Sequence, residues 1–305
     1  MISKREETTM EWLHNTQTGN SKWWSWWVGL VVICICYLLI GSIPAVIGAM
    51  MGLIVIDGSG SVLGGSANPV QFVLLMFSPI MLFVGVWVAQ RLVHRRTLTQ
   101  LTTATTFRWP LVWQSGAMWF GLSIVCTVVE SLLYPGRYVW SFDWGQWLLI
   151  APLLLLLIPI QASGEELAFR GYLLQAMARL WAQPVFLIVL SGVAFMLPHL
   201  GNPEMDKALG GEIPMALNYF LMGVGTAWLS IRDNGIERAI GIHVVNNLYA
   251  GTLVGYEGSV LGTPTIVQAT VIDAWYGVII ICVSFAVLLV WPAPRVNGAD
   301  ERLLG

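Results

Sequence analysis

The stretch 160-IQASGEELAFRGYLL-174 follows 148-LLIAPLLLLLIP-159, a run that reads as soluble in lipid. It sets two adjacent acids, Glu165 and Glu166, and a base, Arg170, against that apolar background. Ionised carboxylates are costly in hydrocarbon, and an intramembrane acid marks a functional position by default. On a helix, Glu166 and Arg170 stand four residues apart with the acid N-terminal, the favourable order for an ion pair. Glu165 is turned about 100° away from Glu166. The two acids are therefore expected to do different jobs: Glu166 neutralised by Arg170, and Glu165 left without a partner in its own helix.

The whole chain agrees with a membrane setting. Of its 305 residues, 56% are hydrophobic and 10% charged, with a mean hydropathy of +0.72. A soluble domain carries about 25% charged residues, so most of this surface must face lipid. A spanning helix needs ~20 mostly apolar residues. Candidate spans run approximately over 26–56, 70–92, 110–133, 146–163, 184–200, 214–231, 238–255 and 273–292. Lys4, Arg5 and Lys22 precede the first. Arg91, Arg95, Arg96 and Arg108 follow the second, Arg170 and Arg179 the fourth, Arg232 and Arg238 the sixth, and Arg295 and Arg302 the eighth. The opposite loops hold only Arg137 and Lys207. This alternation implies an all-α, multi-pass membrane protein with about eight transmembrane helices and both termini cytoplasmic. If the source is prokaryotic, the membrane is the cell membrane.

The polar start has no secretory signal, and the first apolar stretch is too long for a signal core, so it is expected to remain as a span. The organisation predicted is a polar tail over 1–23, three helices over 24–145, a core of four helices over 146–255, and a last span with a tail over 256–305. The segment DGSGSVLGGSANP reads as a flexible loop, and Trp23, Trp24, Trp26 and Trp27 as an interfacial aromatic belt. Cys34, Cys36, Cys126 and Cys282 lie in apolar runs without zinc-like spacing and read as buried thiols. Net charge is −2, and no basic cluster with interleaved aromatics points to nucleic acid.

Pro184 opens the helix after span four. Glu165 lies 17 residues before position 182 and His199 17 after it, which brings the two to one height in an antiparallel hairpin. The polar loop after His199, GNPEMDKALGGE, suits a watery cavity. Of four histidines, His14 and His94 fall in polar stretches and are expected on solvated surface. His199 and His243 fall in apolar helices; His243 shares a face with Asn247, four residues on. Glu130 and Asn218 read as packing groups, and Glu237 and Arg238 as boundary residues. Ser163 lacks a nucleophile-elbow setting and reads as a helix-kink or packing residue.

Together Glu165, His199, His243 and Asn247 suit hydrolysis by water. A carboxylate in a low-dielectric cavity can accept a proton from water. An imidazole can position that water, and His243 with Asn247 can donate to an oxyanion. No HExxH motif is present. Two other readings stay open: a non-catalytic binding or immunity protein of the same fold, and a transporter whose Glu165, His199 and His243 carry protons or ions.

Three motifs stand in order: EExxxR in Glu165, Glu166 and Arg170; FxxxH in Phe195 and His199; HxxxN in His243 and Asn247. In these the chain resembles the type II CAAX prenyl endopeptidases, also called the CAAX protease and bacteriocin-processing family, over about residues 146–255. The resemblance implies an eight-span intramembrane protease with a polar cavity, in which Glu165 and His199 activate water and His243 and Asn247 stabilise the oxyanion. Glu166, Arg170 and Phe195 would support them. An older view of the family would have metal bound here; Glu165, His199 and His243 would suit zinc as one oxygen and two nitrogen ligands. The implied partners are the bilayer and a membrane-associated protein or peptide, prenylated in the case the family name describes.

Overall fold

A computed structural model describes residues 10–54, 68–257, 259 and 261–292. The 57–67 part of the Gly/Ser loop and the segments 1–9 and 293–305 lie outside the described residues. Eight main helices, labelled in chain order, occupy the predicted segments: α1 Trp23–Met50, α2 Pro69–Val93, α3 Trp109–Leu133, α4 Trp144–Ala178, α5 Pro184–His199, α6 Glu212–Asp233, α7 Glu237–Thr252 and α8 Ala274–Val290. Local chemistry sets their starts. Asn68, Asp143, Gln183 and Asp273 each cap a helix by accepting from a backbone N–H, and Pro69, Pro110 and Pro184 occupy first-turn positions where a missing N–H costs nothing.

Four helices, α1 to α4, are long and apolar enough to cross a membrane. The fold is that of an all-α polytopic membrane protein. α5 and α8 are apolar but shorter, and α6 is buried along much of its length. The largest departure from the predicted boundaries is α4. It does not stop at 163 but runs for 35 residues, straight through the charged stretch. Leu167–Leu173 is π-helical, a form that recurs at functional sites. The charges do not end the helix because they are paired inside the protein, as described below.

α7 lies between α3 and α4, α2 flanks α4, α5 packs along α6, and α8 closes on α6. Lipid tails give helices no hydrophobic reason to associate, so close approach of small residues carries the packing. A Cβ at Gly223 of α6 would stand 2.7 Å from Gly192 Cα in α5, and one at Gly241 of α7 would stand 2.2 Å from the Val112 carbonyl oxygen of α3. Both seams are backbone against backbone.

A small sheet, absent from the predicted spans, joins the loops at one end of the bundle. Its strands β1 Tyr138–Trp140, β2 Val254–Tyr256 and β3 Val267–Ala269 lie in the order β1-β3-β2. β3 runs antiparallel to β1 and parallel to β2. Nearby, Glu130 is buried, accepting from the Tyr138 hydroxyl and facing Arg137 at 3.6 Å. Asn218 is buried too, donating to the carbonyls of Pro214 and Ala274.

The opposite end corrects several expectations. The described part of the N-terminal segment packs onto this end: Trp12 is fully buried, its indole donates to the Leu101 carbonyl at 2.9 Å and its backbone N–H to Asn234 Oδ1 at 2.8 Å. His94 is also fully buried rather than solvated. Its Nδ1 meets the Asn20 carbonyl at 3.2 Å and its Nε2 the Tyr172 hydroxyl at 3.0 Å. Trp26 packs on both rings, so it belongs to the core while Trp23, Trp24 and Trp27 face outward. Cys34 and Cys282 are exposed on outward helix faces, against the expectation of burial, and Cys36 is buried. Glu237 and Arg238 are buried boundary residues, paired with Arg108 at 2.7 Å and with Asp233 at 3.0 Å.

Burial pushes the His94 pKa down to about 4, against the pull of the Asn20 carbonyl. A base whose folded pKa lies below its ordinary value takes up its proton more readily when unfolded. Stability contributed by neutral His94 is therefore present above about pH 6.5 and lost as pH falls toward about 4. Melting temperature should decline through that window, and the decline should be shallower in His94→Asn.

Candidate active site

The charged stretch of α4 and the last turn of α5 meet α7 around one cavity. Glu166 and Arg170 are fully buried, and Arg170 Nη1 donates to Glu166 Oε1 at 2.9 Å. That pair is the one expected from spacing. Glu166 does more than was expected: the same Oε1 accepts from His243 Nδ1 at 2.7 Å. With Nδ1 so committed, His243 presents Nε2 to Glu165 Oε2 at 3.6 Å.

Glu165 does have a partner in its own helix, contrary to expectation. Gln161, one turn back, donates from Nε2 to Glu165 Oε1. Gln161 Oε1 in turn accepts from Asn247 Nδ2 at 3.1 Å, so Asn247, Gln161 and Glu165 form a continuous chain. His199 was expected to stand opposite Glu165. The two line the same cavity, but the imidazole paired with Glu165 is His243.

His199 donates from Nδ1 to the Phe195 carbonyl at 2.6 Å, which fixes the tautomer and leaves Nε2 as an acceptor. Its ring stacks on Tyr219 of α6 at 4.6 Å between centroids, and the Tyr219 hydroxyl accepts from Asn202 at 3.0 Å. Phe195 sits at the centre. The Arg170 guanidinium lies 4.3 Å from its ring centroid, the His199 ring 4.5 Å and the His243 ring 5.6 Å. Arg170 Nε and Nη2 have no hydrogen-bond partner, and the ring face supplies a desolvated cation–π contact in their place.

The cavity has a volume of about 850 Å³ and is lined by Gln161, Glu165, Phe195, His199, Tyr219, His243, Asn246 and Asn247. Its apolar remainder reaches Leu30, Ile33 and Tyr37 of α1 and Met76 and Leu82 of α2. Glu204, in the loop after His199, also lines it, buried and with Oε2 unpartnered. Gln161 and Tyr219 were missed at the level of sequence. The signal for Gln161 was an amide one turn before Glu165 in an apolar run; Tyr219 carried none. Among the described residues no group of three or more His, Cys, Asp or Glu side chains is placed to hold a metal ion. The zinc alternative thus finds no assembled ligand set, and no step below passes through a metal.

Fold and site together define a polytopic helical membrane protein with a carboxylate–imidazole–amide cluster enclosed between its helices. Residues 144–249, the segment that holds the three motifs, match the model of the type II CAAX prenyl endopeptidase Rce1-like family. The uncharacterized protein YyaK of Bacillus subtilis (strain 168) is 29% identical over 249 residues, 80% of this chain and 82% of YyaK. No solved structure matches the chain. At family level, the match supports a CAAX-type membrane protease acting on a membrane-associated protein.

Proposed function

We propose that the chain is an intramembrane endopeptidase that hydrolyses a peptide bond with water activated by Glu165 and His199. The observation that carries this is the enclosure of Glu165, His199, His243 and Asn247 around one cavity, with Glu165 fixed by Gln161 and His199 offering a free Nε2. Water held between Glu165 and His199 Nε2 gives a proton to Glu165 as its oxygen attacks the scissile carbonyl. The resulting oxyanion accepts from His243 Nε2–H and from the second Nδ2 hydrogen of Asn247, the first being donated to Gln161. For that role His243 holds a proton on each ring nitrogen, Nδ1–H being donated to Glu166; Glu165 and Glu166 then balance His243 and Arg170. Collapse of the tetrahedral intermediate breaks the C–N bond, and Glu165 returns the proton to the leaving amine.

The apolar reach of the cavity toward α1 and α2 suits a substrate that carries a lipid chain, including the prenylated cysteine of the family name. We further infer that all eight helices span the bilayer, with both termini cytoplasmic, from the Lys/Arg alternation. The test is release of a new amino terminus from a membrane-associated peptide by the purified chain, with metal content quantified after chelation. Failure of every such substrate with folded protein overturns the assignment. Asn247→Ala should lower kcat by about 10²–10³, the usual cost of one oxyanion donor, with less change in KM. An equal loss in KM alone would make Asn247 a ground-state binder instead.

A further inference from the structure

A second pocket lies outside the cavity, where α2 ends and the chain turns toward the short helix Leu98–Thr102. It has a volume of about 240 Å³ and is lined by Trp87, Gln90, Arg91, Arg96, Thr97 and Leu98. Arg96 and Gln90 are almost wholly buried, at 2% and 1% exposure. Arg96 spends Nη1 on the Asn15 carbonyl and on Gln175 Oε1, both at 3.2 Å. Its Nε and Nη2, and both amide atoms of Gln90, meet no hydrogen-bond partner.

Among the described residues no acid answers this charge. Among the described residues, Arg91, Arg95, Arg96 and Arg179 form no ion pair, and Arg179 adds its own positive field to that of Arg96. The Arg96 guanidinium lies 5.0 Å from the Trp26 ring centroid, a cation–π contact that supplies no counter-charge. A buried guanidinium without one is destabilising, and the unpartnered Nε–Nη2 edge is the fork that takes two oxygens of a phosphate or carboxylate side by side. Arg91, exposed, brings a second cation to the same pocket. Trp87 and Leu92 lie outward near this end of α2, at 49% and 69% exposure, as residues do at a lipid–water boundary.

We propose that this pocket binds a phosphate group through the Nε–Nη2 edge of Arg96, with Arg91 and Gln90 completing the shell. Its source is the headgroup of an anionic phospholipid in the adjoining leaflet, as basic pockets beside spanning helices bind such headgroups. The occupant acts as the missing counter-ion at the end of α2.

The full chain, purified in neutral detergent, would be mixed with phosphatidylglycerol, phosphatidylcholine or inorganic phosphate. Thermal stability and lipid retention by native mass spectrometry would be followed. Phosphatidylglycerol should raise the melting temperature saturably, with one molecule retained, and phosphatidylcholine should not. Arg91→Gln, at an exposed position, should weaken retention about fivefold. Arg95→Gln removes the same charge from a residue that does not line the pocket and should leave retention unchanged. Protection by inorganic phosphate equal to that by phosphatidylglycerol supports the pocket and makes its source soluble. Equal loss in the two variants, or equal retention of both lipids, overturns the proposal. Arg96→Lys keeps the charge without the fork; if it folds and still retains the lipid as wild type does, the bidentate assignment falls.

Discussion

Glu165→Gln should abolish peptide cleavage while leaving the protein folded and inserted. The glutamine side chain has the shape of the glutamate and can still accept from Gln161, so the Asn247–Gln161–Glu165 chain survives. What is lost is the capacity to take a proton from water, a contribution of about 10²–10⁴ in rate for a positioned base. His243 also loses the carboxylate 3.6 Å from Nε2, so charge balance in the site changes with the base. The loss should therefore fall on kcat, with substrate still bound. That separation makes the variant a trap: substrates held by it and identified by mass spectrometry would define the cleavage motif. Normal turnover by purified Glu165→Gln would remove Glu165 from the role of base.

Arg170→Ala should be the most damaging change to stability. It strips the buried Glu166 carboxylate of its arginine, and breaking one half of a buried pair costs about 3–5 kcal/mol. It also empties the space over the Phe195 ring, where the guanidinium sits at 4.3 Å. Glu166 would remain joined only to His243, so folding and the orientation of that imidazole should fail together. The double variant Glu166→Gln, Arg170→Met removes both charges and should recover much of the lost melting temperature, since uncharged groups of similar volume often replace a buried pair without loss. It should not recover activity, because His243 Nδ1 no longer meets a carboxylate. Recovery of activity along with stability would reduce Glu166 to a packing partner of Arg170.

The part of this arrangement legible in the sequence is the part governed by one helix at a time. The i,i+4 rule finds the Glu166–Arg170 pair, and the apolar setting of His199 and His243 singles them out from His14 and His94. Contacts between helices depend on how each rotates about its axis, which hydropathy does not encode. The Glu166–His243 bond, the Tyr219 stack and the placing of His243 rather than His199 against Glu165 are all of this kind. The same limit explains His94. Arg91, Arg95 and Arg96 around it suggest a wet surface, yet the Asn20 carbonyl and the close fit of Trp26 and Tyr172 hold the ring inside. Helix starts were legible where proline and a capping side chain coincide. The far end of α4 was not, because a buried counter-charge lets a helix carry acids that hydropathy alone would exclude.

The place of Phe195 changes what the three motifs are. One ring touches the arginine of the first motif, the histidine of its own and the histidine of the third. A change at any of these four positions leaves the others misfitted around a shared face. Single substitutions within the set should therefore cost more than their separate contacts suggest, since packing and charge balance are lost together. The motifs are separate words in the chain, but in the folded molecule they are packed on one ring.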